Sequence, residues 1–433
     1  MATIVVHRGS QQIGGCVTEI RTKNFRIFID IGENLPGNFT KLPLVDGLTA
    51  GKCDNSALFL THYHGDHVGC LNDVLPNVPI YIGKTAKEIY RNYAMRVAKE
   101  SLKRIENFMT FVPLDHIQIG DIVVTPLMID HSAFDAYMFV IEADGIRILH
   151  TGDFRLHGIR GRKMLKMLSC YAKGIDYIVC EGTTVSRNGE TSISEHELQK
   201  RAAEMMKDAK YVFVLCASTN IDRIGAFYHA NPKGRLFICD QYQKKQLEVV
   251  RQNHADKSRF YDFNNVKVYA PNLDKDMEEK GFCMLIRQGE QFKAVLEKFK
   301  CKSVLSLVSE HRMGGYTVGI NMNFLVIYSM WTGYLDGRTK NQSLIDFLKP
   351  YQHSEMDKEI LAPNEYRYRE LHTSGHASLQ DIGKLFETVK PKHGLIPIHT
   401  DAPEKFKEII PSEKIIFLSD GESFELIKKG GQK

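Results

Sequence analysis

Residues 61–69 read Thr-His-Tyr-His-Gly-Asp-His-Val-Gly, which places His62, His64, Asp66 and His67 within six consecutive positions. Three imidazoles and a carboxylate at that density form a metal-ligand set. Imidazole suits zinc and its first-row neighbours, and a carboxylate among imidazoles suits hydrolytic centres that activate water. The string follows the apolar run Ala57-Leu58-Phe59-Leu60. It is therefore expected in a loop at the end of a buried strand, the context such a motif needs.

This order resembles the metallo-β-lactamase superfamily, whose members bind two metals through this string and three ligands further downstream. Each of the three has a candidate at the end of a strand-like run: His131 after Ile122–Ile129, Asp153 after Ile146–Leu149, and His399 after Gly394–Ile398. The resemblance implies that His62, His64 and His131 hold one divalent ion and that Asp66, His67 and His399 hold the other. Asp153 would bridge them. Zinc is the expected metal, with manganese as the alternative.

The interval from Asp153 to His399 is too long for a loop and demands an inserted domain. At its start the strand-like Asp176–Cys180 runs into Glu181, and near its end stands Thr373-Ser374-Gly375-His376-Ala377-Ser378. A strand carboxylate, a Ser-Gly-His-Ala turn and a final Pro-Ile-His resemble motifs A, B and C of the β-CASP nucleases, here Glu181, His376 and His399. In that family a histidine at motif C goes with RNA rather than DNA. The opening His7–Cys16 and the segment Tyr211–Ile224 resemble parts of bacterial ribonuclease J and its relatives. Read as residues alone, Ser218 and Asn220 in the second segment serve equally well as helix caps. Only 34 residues follow His399. The expectation is thus a relative without the C-terminal assembly domain of ribonuclease J.

The resemblance implies a metal-dependent ribonuclease that hydrolyses single-stranded RNA with a metal-activated hydroxide and leaves a 5′-phosphate and a 3′-hydroxyl. Asp66 would belong to the catalytic set as well as to the ligands. His376 would protonate the leaving ribose oxygen and Glu181 would orient it. Ser374, Gly375 and Ser378, flanking His376, are expected to cradle a substrate phosphate. Cleavage from the 5′ end and internal cleavage both fit these motifs. The alternatives are a deoxyribonuclease or small-ester hydrolase of the same fold, and a non-catalytic RNA-binding scaffold. Motif C argues against DNA and the complete ligand set against the scaffold.

The elements that must position these residues read as α/β: a metallo-β-lactamase αββα sandwich in two parts, 1–182 and 366–433, around a β-CASP insert at 183–365. Before residue 180 short strands dominate, including a hairpin through the Asp144-Gly145 turn. The insert alternates helices, the first opened by the capping box Ser194-x-x-Glu197, with strands such as Ser303–Leu307 and Phe324–Tyr328. That alternation implies a mostly parallel sheet covered by helices. Leu379, Ile382, Leu385, Phe386 and Val389 recur at helical spacing before Pro391.

A chain of 433 residues exceeds what one core organises, and its net charge of +5 is too small to indicate nucleic-acid binding alone. The distribution is more telling, with Lys244, Lys245, Arg251, Lys257, Arg259 and Lys267 crowded in one stretch and Lys293, Lys298, Lys300 and Lys302 in another. Nine scattered cysteines without a Cys-x-x-Cys pair suit a reducing compartment. No apolar run reaches membrane-spanning length and the N-terminus lacks a signal-peptide pattern, so a cytoplasmic location is expected.

Overall fold

The computed structural model describes residues 1–36, 40–187, 192–254, 258–287, 289–299, 324–335, 342–349 and 368–427. The expected strand at 303–307 and residues 257, 300 and 302 of the basic stretches lie outside them. Contacts divide the chain into two compact units, Met1–Ser192 with Ser374–Lys433, and Ile193–Thr373. These junctions fall later than 182/183 and 365/366. Thr183 and Thr184 stay with the first unit because their hydroxyls bond His399 and the Ala377 carbonyl there.

Two sheets build the first unit. One has seven strands in the spatial order Ser423–Glu425, Thr3–Arg8, Val17–Arg21, Arg26–Ile29, Ser56–Phe59, Ile80–Gly83 and Met109–Phe111. Its first four strands pair antiparallel and its last four parallel. The other has six, in the order Gly394–Ile398, Tyr177–Glu181, Ile146–His150, Tyr137–Ala143, Ile122–Met128 and Ile117–Ile119. Its first three are mutually parallel. The Asp144-Gly145 turn closes the hairpin before Ile146 with φ of 50° and 73°, the doubly positive conformation that favours this dipeptide.

Alternation along the strands creates the layers. In Tyr177–Glu181, Tyr177 and Val179 enter the core between the sheets beside Ile4, Phe59 and Phe139. Ile178 and Cys180 point the other way, into a core closed by the helices Gly161–Tyr171 and Leu379–Val389. On the far side of the first sheet, helix Lys84–Val97 buries Ala86, Ile89 and Tyr90. The layering is thus helix, sheet, sheet, helix, the αββα sandwich.

The second unit contains a six-stranded sheet in the order Val266–Val268, Leu236–Cys239, Phe282–Ile286, Tyr211–Leu215, Phe324–Tyr328 and Tyr368–Glu370, every pair parallel. Its continuous apolar strands suit a sheet covered on both faces. Ser194 accepts the Glu197 N–H and Asn220 accepts the Arg223 N–H, so both cap helices as their positions suggested. Among the described residues no helix is long and apolar enough to cross a membrane.

Phe59 lies under the metal-ligand loop, fully buried, stacked on Tyr81 at 4.7 Å and edge-on to Phe139 at 5.8 Å. Phe59→Ala is expected to destabilise the first unit by about 3–5 kcal/mol, the range for emptying such a site. Urea unfolding followed by circular dichroism checks this. An unmoved midpoint would show that the inter-sheet core tolerates the cavity.

Candidate metal centre

The strand Ser56–Phe59 ends just before His62, and Gly65–Val68 forms a single helical turn carrying Asp66 and His67. The strands Ile122–Met128, Ile146–His150 and Gly394–Ile398 likewise end just before His131, Asp153 and His399. The donor atoms form close groups: His62, His64 and His131 in one, Asp66, His67, Asp153 and His399 in another, each within 4.8 Å. Asp153 Oδ2 stands 3.1 Å from His67 Nε2, 3.9 Å from His62 Nε2 and 4.0 Å from His131 Nε2. It lies between the two groups. All seven sequence candidates therefore meet in one place.

The surrounding hydrogen bonds orient three of the rings. His131 Nδ1 donates to the Gly375 carbonyl at 2.7 Å, and His67 Nδ1 donates to Asp30 Oδ2 at 2.8 Å. Thr61 Oγ1 gives its proton to Asp30 Oδ2 and so accepts from His62 Nδ1 at 3.0 Å. His62 Nε2 and His131 Nε2 are thereby left with lone pairs turned to the centre, the arrangement by which outer hydrogen bonds prepare a histidine for a metal, whereas His67 Nε2 is 3.1 Å from Asp153 Oδ2. His399 Nδ1 lies 2.6 Å from Thr183 Oγ1 and its Nε2 lies 3.2 Å from Asp66 Oδ2.

Two atoms test whether the residues fit a cation. His62 Nε2 and Asp153 Oδ1 are buried without a hydrogen-bond partner. Unmade bonds of buried polar atoms are costly, and His62 Nε2 stands 3.9 Å from Asp153 Oδ2. A mixed imidazole and carboxylate set is also the chemistry that zinc and neighbouring divalent ions accept. The residues fit.

Electrostatics divides the rings. Burial holds His62 and His131 well below the ordinary histidine range, and His64 falls to about 4 for the same reason, so these three are neutral. Burial opposes the charge of His67 too, but Asp153, Asp30 and Asp66 outweigh it and hold that ring well above the ordinary range. Burial is likewise overcome at His399 by Asp153, Cys16 and the bond to Asp66. His150 is a different case: buried, pushed to about 4 by that burial, and accepting the Gly152 N–H through Nδ1. It is a neutral core histidine.

Glu181 and His376 stand at the edge of this cluster. Glu181 is 1% exposed; its Oε1 accepts the Phe154 N–H at 2.8 Å, and its Oε2 lies 3.1 Å from His376 Nδ1. His376 Nδ1 is also 3.5 Å from Asp153 Oδ2, and His376 forms a third close group with His131 and Asp153. In the flanking turn Ser374 Oγ accepts the His376 N–H and Ser378 Oγ accepts the Asp381 N–H. A Cβ on Gly375 would stand 2.6 Å from Ser132 Oγ, so glycine allows the turn to lie against the His131 loop.

Sequence reading missed Asp30 and Thr183, which orient two of the rings. Asp30 had a signal of the same kind as the ligands, since it ends the apolar run Ile27-Phe28-Ile29. Thr183 had none, because its partner is 216 residues away.

Residues 49–217 match the family model described as the metallo-β-lactamase superfamily. Among curated proteins, the chain is similar to ribonuclease J of Helicobacter pylori, 23% identical over 98% of this chain and 61% of that protein. It is similar also to ribonuclease J of Thermus thermophilus, 30% identical over 52% of this chain and 42% of that protein, and to that of Sinorhizobium meliloti, 24% identical over 86% and 62%. The chain thus spans about three fifths of the length of the curated relatives it matches most fully in this group. A crystal structure of a protein of unknown function from Enterococcus faecalis has the same fold, with a TM-score of 0.73, 19% identity and coverage of 98% of this chain and 99% of that one.

Loading a divalent metal should release protons at neutral pH, because His67 and His399 hold theirs above the ordinary histidine range and ligation requires neutral imidazole. Affinity should therefore rise with pH. Titration calorimetry in buffers of different ionisation enthalpy measures the release. Identical heats in all buffers would contradict this charge assignment.

Proposed function

We propose that this chain, a ribonuclease J-like member of the metallo-β-lactamase superfamily, is a metal-dependent ribonuclease of the β-CASP type acting on single-stranded RNA in the cytoplasm. The observation that carries the reading is the meeting of His62, His64, Asp66, His67, His131, Asp153 and His399 beside a histidine already bonded to a buried carboxylate. Ribonuclease J is the name of each relative described above, and that supports RNA as the substrate. The described cysteines are all free thiols, which supports a reducing compartment.

His62, His64 and His131 would hold one divalent ion, Asp66, His67 and His399 a second, and Asp153 would reach both; zinc is the preferred metal and manganese the alternative. Such a pair supplies an activated water at neutral pH and stabilises charge on a phosphoryl oxygen. The chain's own task is then to place the phosphodiester and supply a proton. Glu181 Oε2 takes the Nδ1 hydrogen of His376, which turns Nε2 to the departing ribose oxygen as the proton donor. With water rather than the 2′-hydroxyl as nucleophile, the products carry a 5′-phosphate and a 3′-hydroxyl. Ser374 and Ser378 use their oxygens as acceptors within the turn, leaving both hydroxyl hydrogens for a substrate phosphate beside Gly375.

The decisive experiment incubates metal-loaded protein with end-labelled RNA and DNA of matched sequence. RNA cleavage to 5′-phosphate ends is expected, and cleavage of DNA alone would overturn the reading. His376→Ala should slow the reaction by roughly 10²–10⁴-fold while metal content stays near that of the unmodified protein. Because His376 also groups with His131 and Asp153, a large loss of metal would make it a ligand instead.

Three RNAs differing only at the 5′ end test the phosphate cradle. A 5′-monophosphate should be degraded faster than a triphosphate or hydroxyl. Equal rates with internal fragments appearing first would make the protein an endonuclease that ignores the end.

A further inference from the structure

Beside the metal centre lies a buried ion pair that neither the ligand set nor the acid-base pair explains. Asp130 and Arg155 are both fully buried, with Arg155 Nε 2.7 Å from Asp130 Oδ1 and the Arg155 N–H donating to the Asp130 carbonyl at 2.8 Å. The other carboxylate oxygen, Oδ2, accepts the N–H groups of Arg160 and Gly161 where helix Gly161–Tyr171 begins. A Cβ on Gly158 would stand 1.8 Å from Asp130 Oδ1, so the loop closes round the carboxylate only with glycine there. Asp130 adjoins the ligand His131, and Arg155 is two residues beyond the ligand Asp153.

From this anchor Arg155 Nη1 reaches the carbonyl oxygen of Ser374 at 3.1 Å, and His157 Nε2 donates to the same oxygen at 2.8 Å. His157 Nδ1 faces Asp381 Oδ2, 3.8 Å away in the first turn of the following helix. The next carbonyl, Gly375, is held by His131, and that of Ala377 by Thr184 Oγ1. The two carbonyls that precede His376 are thereby tied to the loops that carry Asp153 and His131, and the one that follows it to the segment after Glu181.

We propose that Asp130, Arg155 and His157 form a clamp of positioning residues that sets the distance between the proton donor His376 and the metal ligands. A guanidinium suits the task, because its planar fork can engage a carboxylate and a carbonyl at once and it stays charged when buried. The inference rests on the ribonuclease reading with His376 as proton donor. Misplacement of a reacting group by about 1 Å can cost about 10²-fold in rate. A loosened clamp therefore acts on proton delivery and leaves the ligand set assembled.

The test compares Arg155→Met with His376→Ala on two substrates. RNA releases a ribose oxygen that needs a proton, whereas bis(p-nitrophenyl) phosphate releases a phenolate that does not. Arg155→Met should slow kcat on RNA by about 10²-fold with KM and metal content retained, and should slow the nitrophenyl diester much less. Adding it to His376→Ala should cost nothing further, as expected of residues acting through one group.

RNA cleavage at the unmodified rate in Arg155→Met, or equal loss on both substrates, overturns the clamp. If Arg155→Met fails to fold, His157→Leu, on the same carbonyl but partly exposed, is put through the same comparison with the same two outcomes. Unmodified protein that hydrolyses the nitrophenyl diester but not RNA would instead overturn the ribonuclease reading.

Discussion

A buried carboxylate sets the terms for this molecule. Asp153 is 1% exposed, yet its pKa is held well below the ordinary range: burial works against its charge, and His399, His67 and His376 outweigh it. Ionised carboxylates are not left in such surroundings without compensation. The imidazoles that compensate Asp153 are themselves fixed by outer partners, His67 by Asp30, His399 by Thr183 and His376 by Glu181. Charge balance and ligand geometry are thus one arrangement.

That arrangement is possible because the strands feeding it end on one side of the sandwich. Ile148, Val179, Ile396 and Phe59 share the inter-sheet core, so the loops just beyond them start from a rigid base. Period-two alternation then gives the same strands a second apolar face under the helices. Short loops on a packed base can hold a metal site to tolerances that long loops cannot.

The clustering of the seven candidate ligands was legible because each combines a chemically distinctive side chain with an apolar run just before it. Period and capping signals likewise located the helix Leu379–Val389 and the caps at Ser194 and Asn220. Asp130, Arg155, His157 and Thr183 were not legible. Their roles arise from contacts such as Arg155 with Ser374, 219 residues apart, and a lone Asp or Arg in a loop has no pattern to distinguish it. In the basic stretches several side chains also have partners nearby. Lys244 bonds the Val266 carbonyl, Arg251 bonds Asn264 and Lys298 pairs with Asp274. Those side chains have local partners, so sequence crowding alone does not make a phosphate-binding surface.

All seven candidate ligands, together with Glu181 and His376, belong to the first unit, although the chain leaves and re-enters that unit between them. The second unit has its own core around Phe213, Phe282 and Tyr328 and its own buried ion pair, Arg223 with Glu195. Arg223 also bonds the Ser329 and Thr373 carbonyls, so the pair fastens the strand ends of that unit as Asp130 and Arg155 fasten the turn of the other. Both pairs gain from the fork of arginine, which satisfies a carboxylate and still has donors left for backbone oxygens. Replacing such a pair with apolar side chains need not lower stability. What an apolar pair cannot do is hold a particular carbonyl at a particular distance, and that is the property on which a proton donor beside a metal centre depends.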